Sequence, residues 1–175
     1  MKRKNSPAKI SFAALFAALI AVCTFISIPM PTGVPITLQT FAVALCGMLL
    51  PLPYSVAAVL AYLAIGAAGV PVFSGFRAGL SVLVSSTGGF LVGFLPMAAL
   101  CSAPKSGWKK PALGILGVLI CHAAGFLWYS FVTKNGVLPS FLSVSLPYLP
   151  KDIVSLALAY LISLKLRPIF SKFYC

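Results

Sequence analysis

The stretch "ISFAALFAALIAVCTFISI", residues 10–28, decides the fold class of this 175-residue chain. It carries no charged side chain, and the uncharged run continues to Phe76. A membrane-spanning helix needs roughly 20 mainly apolar residues, so the interval is long enough for three spans. Over the whole chain, 61% of residues are hydrophobic and 8% are charged. This composition is typical of an integral membrane protein and excludes an ordinary soluble domain.

Proline and glycine divide the apolar sequence into six predicted helices. We place them at residues 10–28, 36–51, 54–70, 79–101, 112–133 and 150–166. The runs are apolar on every face, whereas the strands of a membrane barrel alternate with a period of two residues. The first run is longer than the core of a usual signal peptide and is followed at once by another span, which favours a first helix. The prediction is one all-α membrane domain over residues 1–175, with a short basic tail at 1–9.

The basic residues flank the predicted spans and do not share one folded face, which argues against nucleic acid as the partner of a chain with net charge +12. With six spans, ten of them fall on one side: Lys2, Arg3, Lys4, Lys9, Lys105, Lys109, Lys110, Lys165, Arg167 and Lys172. The other side has Arg77, Lys134 and Lys151. Because Lys and Arg concentrate on the cytoplasmic side of membrane proteins, we predict a multi-pass protein of the cell membrane with both termini in the cytoplasm.

Titratable side chains are too few for catalysis. General acid–base chemistry needs at least two positioned groups, but the only acidic residue is Asp152 and the only imidazole is His122, on separate predicted spans. We interpret His122 as a neutral histidine that hydrogen-bonds a neighbouring helix, and we expect no metal site. The sequence has no G-x-x-x-x-G-K-[ST] loop for ATP. Active transport would therefore draw its energy from another chain or from an ion gradient.

Small residues line one face of the first predicted helix. Ala13, Ala17 and Ala21 recur every four residues, so they lie on one face, and Ala14 and Ala18 form a parallel row. Small side chains allow two membrane helices to approach closely. The sequence leaves two interpretations open: a docking surface for another protein, or packing inside the bundle.

Four segments near the predicted outer side resemble one family in their order and spacing. They are "PITLQTFAV" (35–43), "AYLAIGAAGVPVFSG" (61–75), "STGGFLVGF" (86–94) and "PYLPKD" (147–152). The chain resembles, over nearly its whole length, the BioY family, the biotin-capturing S component of energy-coupling-factor (ECF) transporters.

The resemblance implies a six-helix subunit that holds biotin in a pocket open to the outside, without a cofactor or an enzymatic step of its own. Its partners would be a transmembrane coupling subunit and two ATPase subunits, which alone use ATP. The row Ala13, Ala17 and Ala21 would then match the family's A-x-x-x-A docking face. One departure is that the family's D-x-x-K has Ser155 where lysine is expected, and Lys151 precedes Asp152 instead.

The groups of biotin suggest roles for the polar residues on the predicted outer side. Asp152 would accept the ureido N–H groups, and Gln39 or Ser74 would donate to the ureido carbonyl. Phe73 and Tyr148 would cover the rings, and Arg77 or Lys151 would pair with the carboxylate.

Other interpretations of these residues and of the chain stay open. Arg77 and Lys151 also fit solvated loop charges, and Asp152 also fits a helix N-cap. Three alternatives to the biotin S component remain for the chain: an S component for another small vitamin, a solitary biotin transporter, or a ligand-free membrane scaffold.

Overall fold

A computed structural model describes residues 7–103 and 109–174, so residues 1–6 of the predicted basic tail and Lys105 lie outside it. Its helices are α1 (Pro7–Phe25), α2 (Gln39–Leu49), α3 (Leu52–Ala67), α4 (Leu80–Val84), α5 (Gly88–Ser102), α6 (Lys109–Thr133), α7 (Val137–Val144) and α8 (Leu149–Tyr174). A two-stranded antiparallel hairpin, β1 (Ser27–Ile28) and β2 (Ile36–Thr37), joins α1 to α2. A short 3-10 turn over Ser74–Phe76 lies between α3 and α4.

Six of these helices are apolar elements of the membrane domain. Among the described residues, α1, α6 and the segment Leu149–Phe170 of α8 are long and apolar enough to cross a bilayer, while α2, α3 and α5 are apolar but shorter. Large apolar side chains such as Leu15, Leu60 and Leu119 remain exposed, as expected for a lipid-facing surface. The predicted all-α, six-span fold class is confirmed.

The short helix α2 lies at the centre of the bundle. Ten of its eleven residues are buried, and it packs against α1, α3, α5, α6 and α8. At 1.5 Å per residue it is only about 16 Å long, roughly half of the hydrocarbon thickness. Its cytoplasmic end stops before Pro51, which cannot continue a helix. Because α2 is so short, space remains above its N-terminus for a cavity.

Glycines let α5 and α6 pack closely side by side. A Cβ on Gly89 would lie 2.3 Å from Cβ of Trp128, and one on Gly93 would lie 2.9 Å from Cα of Cys121. The contacts run in opposite directions along the two helices, so α5 and α6 are antiparallel. The pair forms the wall of the bundle on which α2 rests.

Two loop regions differ from the sequence-based expectation. The helix predicted at 79–101 is wrong as a single element, because the chain breaks after α4 and restarts at Gly88. Ser85 ends α4, and its carbonyl accepts a hydrogen bond of 2.9 Å from Nε1 of Trp128. In addition, α7 occupies part of the predicted outer loop before α8.

The small-residue face of α1 requires a correction. Ala13 and Ala17 are buried in the main hydrophobic core, and Ala21 is half-buried and packs against it. They therefore do not form an open docking surface. The parallel row, Ala14 and Ala18, is exposed. The small-residue surface of α1 that is open to a partner is therefore formed by these two alanines.

Candidate functional site

A cavity opens above the N-terminus of α2, at the end of the bundle opposite the basic cytoplasmic residues of α8. The empty space of the cavity, together with the open solvent at its mouth, measures about 670 Å³. Its apolar wall consists of Val34, Pro35, Phe73, Val82, Phe90, Leu91, Phe94, Met97, Val118, Cys121 and Tyr148. Its polar lining consists of Thr37, Gln39, Thr40, Ser74, Arg77, Thr87, His122, Lys151 and Asp152. A mostly apolar cleft with a few convergent polar groups is typical of a small-molecule site.

Asp152 carries the central charge of the cavity. It lies in the first turn of α8 and is 5% exposed. Oδ2 is 3.1 Å from Nε2 of His122, which projects from the middle of α6. The ammonium of Lys151 forms an ion pair with the same carboxylate through Oδ1. Buried carboxylates are stable only when they are paired in this way.

The second oxygen of this carboxylate is only partly satisfied. Among the residues that the structure describes, Oδ1 of Asp152 is the buried side-chain polar atom that has no donor in good hydrogen-bond geometry, although the Lys151 ammonium lies beside it. An ionised carboxylate has about four acceptor positions. The cavity therefore presents an acceptor with unused capacity to any ligand that it holds.

The interpretation of Asp152 as a helix N-cap is wrong. Helix α8 begins at Leu149, and the Asp152 amide already donates to the carbonyl of Tyr148 at 3.0 Å. The side chain faces α6 and the cavity, although its charge still suits the positive end of the helix dipole.

Two cations border the cavity in different ways. Lys151 donates from Nζ to the carbonyl of Thr37 at 2.8 Å, in addition to its ion pair with Asp152, so it is not a solvated loop charge. Arg77 is exposed at the mouth, and its Nε donates to the carbonyl of Ser74 at 3.1 Å. A guanidinium has five N–H donors, which gives Arg77 further capacity for an anion.

Gln39 is fixed at the start of α2 by the core of the bundle. Its Nε2 donates to the hydroxyl of Tyr62 at 2.8 Å, and the ring of Tyr62 meets the ring of Phe73 edge-on, with centroids 5.6 Å apart. Phe73 is held in turn by Gly66, where any Cβ would lie 2.3 Å from the Phe73 ring. This packing gives one polar and one aromatic side chain of the cavity a fixed position.

Two tyrosines hold the hairpin loop at the cavity, and one of them, Tyr148, also lines it. Tyr148 donates from its hydroxyl to the carbonyl of Val34 at 2.6 Å, and Tyr129 donates to the carbonyl of Thr32 at 3.3 Å. Burial raises the pKa of the Tyr148 phenol, so this hydroxyl stays protonated and remains a donor at neutral pH. The loop between β1 and β2 is thereby fastened over the site.

All seven residues proposed from the sequence line this one cavity: Gln39, Phe73, Ser74, Arg77, Tyr148, Lys151 and Asp152. Ser155, at the position where the family pattern has lysine, is buried in α8 and does not belong to the lining. Sequence reasoning did not assign His122, Thr40 or Thr87 to the cavity, although the predicted hydrogen bond from His122 to a neighbouring helix is present, with Asp152 as its partner. His122 and Asp152 lie on different helices, α6 and α8, and only the packing of these two helices brings the side chains together.

Together, the fold and the cavity define a multi-pass membrane protein that encloses a pocket for a small molecule. Residues 1–172 match the model described as the BioY family. The chain belongs to the BioY family, which confirms the resemblance seen in the sequence.

Relatives and one solved structure agree with this assignment. The chain is 34% identical to the "Probable biotin transporter BioY" of Pyrococcus horikoshii, over 91% of this chain and 96% of that protein. It is 37% identical to the "Biotin transporter BioY" of Thermotoga maritima, over 89% and 93% of the two chains. A crystal structure of the S-component for biotin from an ECF-type ABC transporter superposes with a TM-score of 0.86 at 26% identity, covering 96% of this chain and 95% of that one.

Proposed function

We propose that this chain captures biotin from outside the cell and delivers it inward as the substrate-specific subunit of an ATP-coupled vitamin transporter. One observation carries the proposal: an ionised carboxylate, Asp152, is buried in an apolar cavity and keeps acceptor capacity on Oδ1. A ligand that matches it needs N–H donors on an otherwise apolar body. The bicyclic ureido ring of biotin has this chemistry.

The remaining groups of biotin find partners along the same cavity. The amide of Gln39 or the hydroxyl of Ser74 can donate to the ureido carbonyl. Phe73 and Tyr148 supply aromatic faces for the apolar rings. The valerate carboxylate would lie toward the mouth, where Arg77 is placed to pair with it.

Energy for uptake would come from other subunits. The sequence contains no phosphate-binding loop, so we place ATP hydrolysis on two ATPase subunits that act through a transmembrane coupling subunit. For this chain we propose no cofactor and no enzymatic step. The exposed row Ala14 and Ala18 of α1 is the smooth surface that we propose for contact with the coupling subunit, because the predicted row at Ala13 and Ala17 is buried.

The proposal requires the cavity to face outward. Lys134 follows α6 on the side of the cavity mouth, and Lys109 begins α6 at the other end. Cysteine substitutions at these two positions, labelled in intact cells with a reagent that cannot cross the membrane, test the orientation. We expect labelling of Lys134→Cys and protection of Lys109→Cys. The reverse pattern would place Asp152 on the cytoplasmic side and contradict the proposal.

Binding and transport are tested separately. Calorimetric titration of the purified chain with biotin should give tight binding at one site, whereas thiamine and riboflavin should not bind. Uptake is then measured in a biotin-requiring host that expresses the chain with or without the coupling and ATPase subunits. Uptake that is equal with and without these subunits would indicate a solitary transporter, and no binding of biotin would refute the proposal itself.

A further inference from the structure

Three buried polar side chains form a hydrogen-bonded series behind the cavity. Ser145 lies in the turn between α7 and α8, His122 on α6 and Asp152 on α8. Oγ of Ser145 is 3.2 Å from Nδ1 of His122, and Nε2 of His122 is 3.1 Å from Oδ2 of Asp152. The three side chains belong to residues that are 0%, 5% and 5% exposed. The series thus links three elements and ends at the carboxylate of the pocket.

The hydrogen bonds determine where the imidazole proton lies. An ionised carboxylate only accepts hydrogen bonds, so Nε2 of His122 must carry the hydrogen that points to Asp152. Nδ1 is then an acceptor, and the hydroxyl of Ser145 can donate to it. Ser145 is therefore compatible with the tautomer that Asp152 requires, and its hydroxyl also lies 3.5 Å from the carbonyl of His122.

The surroundings provide no separate counter-ion for a positively charged imidazole. Lys151 already pairs with Asp152, and the sequence contains no other acidic residue. Besides Ser145 and Asp152, the ring of Phe90 of α5 meets the imidazole edge-on at 5.8 Å, and Thr40 of α2 and the neighbouring Cys121 line the same cavity. None of the last three is a counter-ion, and an uncompensated charge in a buried site is costly. A neutral imidazole that donates from Nε2 and accepts at Nδ1 is therefore the form that these contacts match.

We propose that His122 is a positioning residue for ligand recognition: its Nε2–H holds Oδ2 of Asp152, so that Oδ1 is presented to the N–H donors of the ligand. This inference rests on the proposed function, because it assigns Asp152 to the ureido group. A carboxylate without this hydrogen bond could turn about its terminal bond and present either oxygen. With the bond in place, the carboxylate plane is fixed before the ligand arrives, which lowers the cost of binding.

A role in packing alone predicts a different arrangement. A hydrogen bond that only ties α6 to α8 has no reason to lie in a ligand cavity, yet His122 is itself part of the lining. If the carboxylate only held the two helices together, we would expect both of its oxygens to have hydrogen-bond donors in good geometry. Here the oxygen held by His122 has a donor in good geometry, whereas Oδ1 has the Lys151 ammonium beside it and keeps acceptor capacity.

The protonation state can be measured without any substitution, because the chain has a single histidine. We would label it with ¹⁵N, purify the chain through a tag that contains no histidine and no biotin mimic, and record imidazole ¹⁵N–¹H correlations without ligand. A neutral ring protonated at Nε2 is expected at pH 7, with a further change of the Nε2–H signal when biotin is added. A ring protonated at Nδ1, or a charged ring at pH 7, overturns the inference whether or not biotin binds.

Substitutions test whether His122 acts through Asp152. His122→Gln keeps an N–H donor at a similar distance, and His122→Phe keeps a ring but no donor. We expect biotin affinity to fall about tenfold in His122→Phe and to stay within about threefold in His122→Gln, since only the Phe variant removes the hydrogen bond to the charged carboxylate. In the double variant with Asp152→Asn, His122→Phe should add no further loss. Losses that multiply would show an independent role and contradict the inference, as would equal losses in the Gln and Phe variants.

Two serine variants complete the test. Ser145→Ala removes the hydroxyl at Nδ1 and should weaken biotin binding by roughly threefold, while the ring stays protonated at Nε2 because the Asp152 carboxylate accepts there. Ser163→Ala is the matched control, because Ser163 is a buried serine of α8 that donates to the carbonyl of Tyr160, away from the cavity. Its affinity for biotin should not change. Unchanged biotin affinity in Ser145→Ala would remove Ser145 from the series.

Discussion

Within residues 7–103 and 109–174, each end of the bundle buries one charged side chain, and the two charges are paired differently. At the cytoplasmic end, Lys110 is 4% exposed and its Nζ donates to the carbonyl of Met48 at 2.5 Å. At the outer end, Asp152 is 5% exposed and is paired with His122 and Lys151, but its Oδ1 lacks a donor in good geometry. A buried charge with unused capacity beside a cavity indicates a ligand site, whereas one that closes a helix end indicates a structural contact.

Lys110 shows why the cytoplasmic charge is structural. The last carbonyls of a helix have no partner within the helix, and a cation near them also interacts favourably with the helix dipole. Met48 lies in the last turn of α2, just before the break at Pro51. Lys110 therefore fastens the C-terminus of the central helix to α6.

The largest effect on biotin binding is expected from Asp152→Asn. The substitution keeps the size of the side chain but removes the charge and adds an N–H donor. We expect biotin affinity to fall roughly 10- to 100-fold, at about 1.4 kcal/mol per factor of ten. Titration calorimetry measures this loss, and size-exclusion chromatography shows whether the variant stays monodisperse. Affinity within a factor of about two of the parent chain, with poor accumulation in the membrane, would make Asp152 a structural residue.

The next largest effect is expected from the cations at the mouth. Arg77→Ala and Lys151→Ala are compared with biotin and with biotin methyl ester as ligands. We expect Arg77→Ala to lose about 3- to 10-fold in affinity for the free acid and little for the ester, because Arg77 is exposed and its contribution is screened by water. Lys151→Ala should weaken both ligands alike, since Lys151 pairs with Asp152. If Lys151→Ala alone loses the preference for the free acid, Lys151 holds the carboxylate.

A smaller effect on binding, with a clear effect on folding, is expected from Lys110→Met. This substitution keeps the apolar stem and removes the donor to Met48. Biotin affinity should stay within about threefold, while the free energy of unfolding falls by about 1–3 kcal/mol because a buried carbonyl loses its partner. Thermal unfolding in detergent measures the loss. A Lys110→Met variant that is as stable as the parent chain but binds biotin poorly would contradict the structural role of Lys110.

The smallest effect on binding is expected from Ala18→Leu, which adds bulk to the exposed face of α1. Binding of biotin should be unchanged, and uptake together with the coupling and ATPase subunits should fall. The matched variant Ala17→Leu places the same bulk in the core, where overpacking costs about 1–3 kcal/mol, and should lower stability instead. Uptake that survives Ala18→Leu would show that the coupling subunit docks elsewhere.

The sequence was sufficient to predict the fold class, because uncharged apolar runs of this length are found almost only in membrane-spanning helices. The sequence was also sufficient to predict seven residues of the cavity, since polar side chains are rare at the outer ends of apolar helices and are easily recognised there. It could not pair His122 with Asp152, which lie 30 residues apart and meet only through the packing of α6 and α8.

The face of α1 is a second feature that the sequence left open. Its apolar residues surround the helix evenly, so the pattern does not distinguish the row of Ala13 and Ala17 from the row of Ala14 and Ala18. Burial depends on Phe16 and Ile20, which anchor the inward face in the core. The break between α4 and α5 was missed for a related reason: the segment 79–101 is apolar throughout, and only the contact of Ser85 with Trp128 shows where it bends.

Thermal unfolding of the parent chain, Asp152→Asn and Lys110→Met, each measured with and without saturating biotin, tests the distinction between the two buried charges most directly. A ligand stabilises the folded state in proportion to the logarithm of its concentration over Kd. We predict that Asp152→Asn unfolds near the parent temperature without biotin but gains less from it, and that Lys110→Met unfolds earlier but gains as much as the parent chain. If biotin shifts Asp152→Asn fully and Lys110→Met weakly, the assignment of the outer charge to the ligand and of the inner charge to the fold is contradicted.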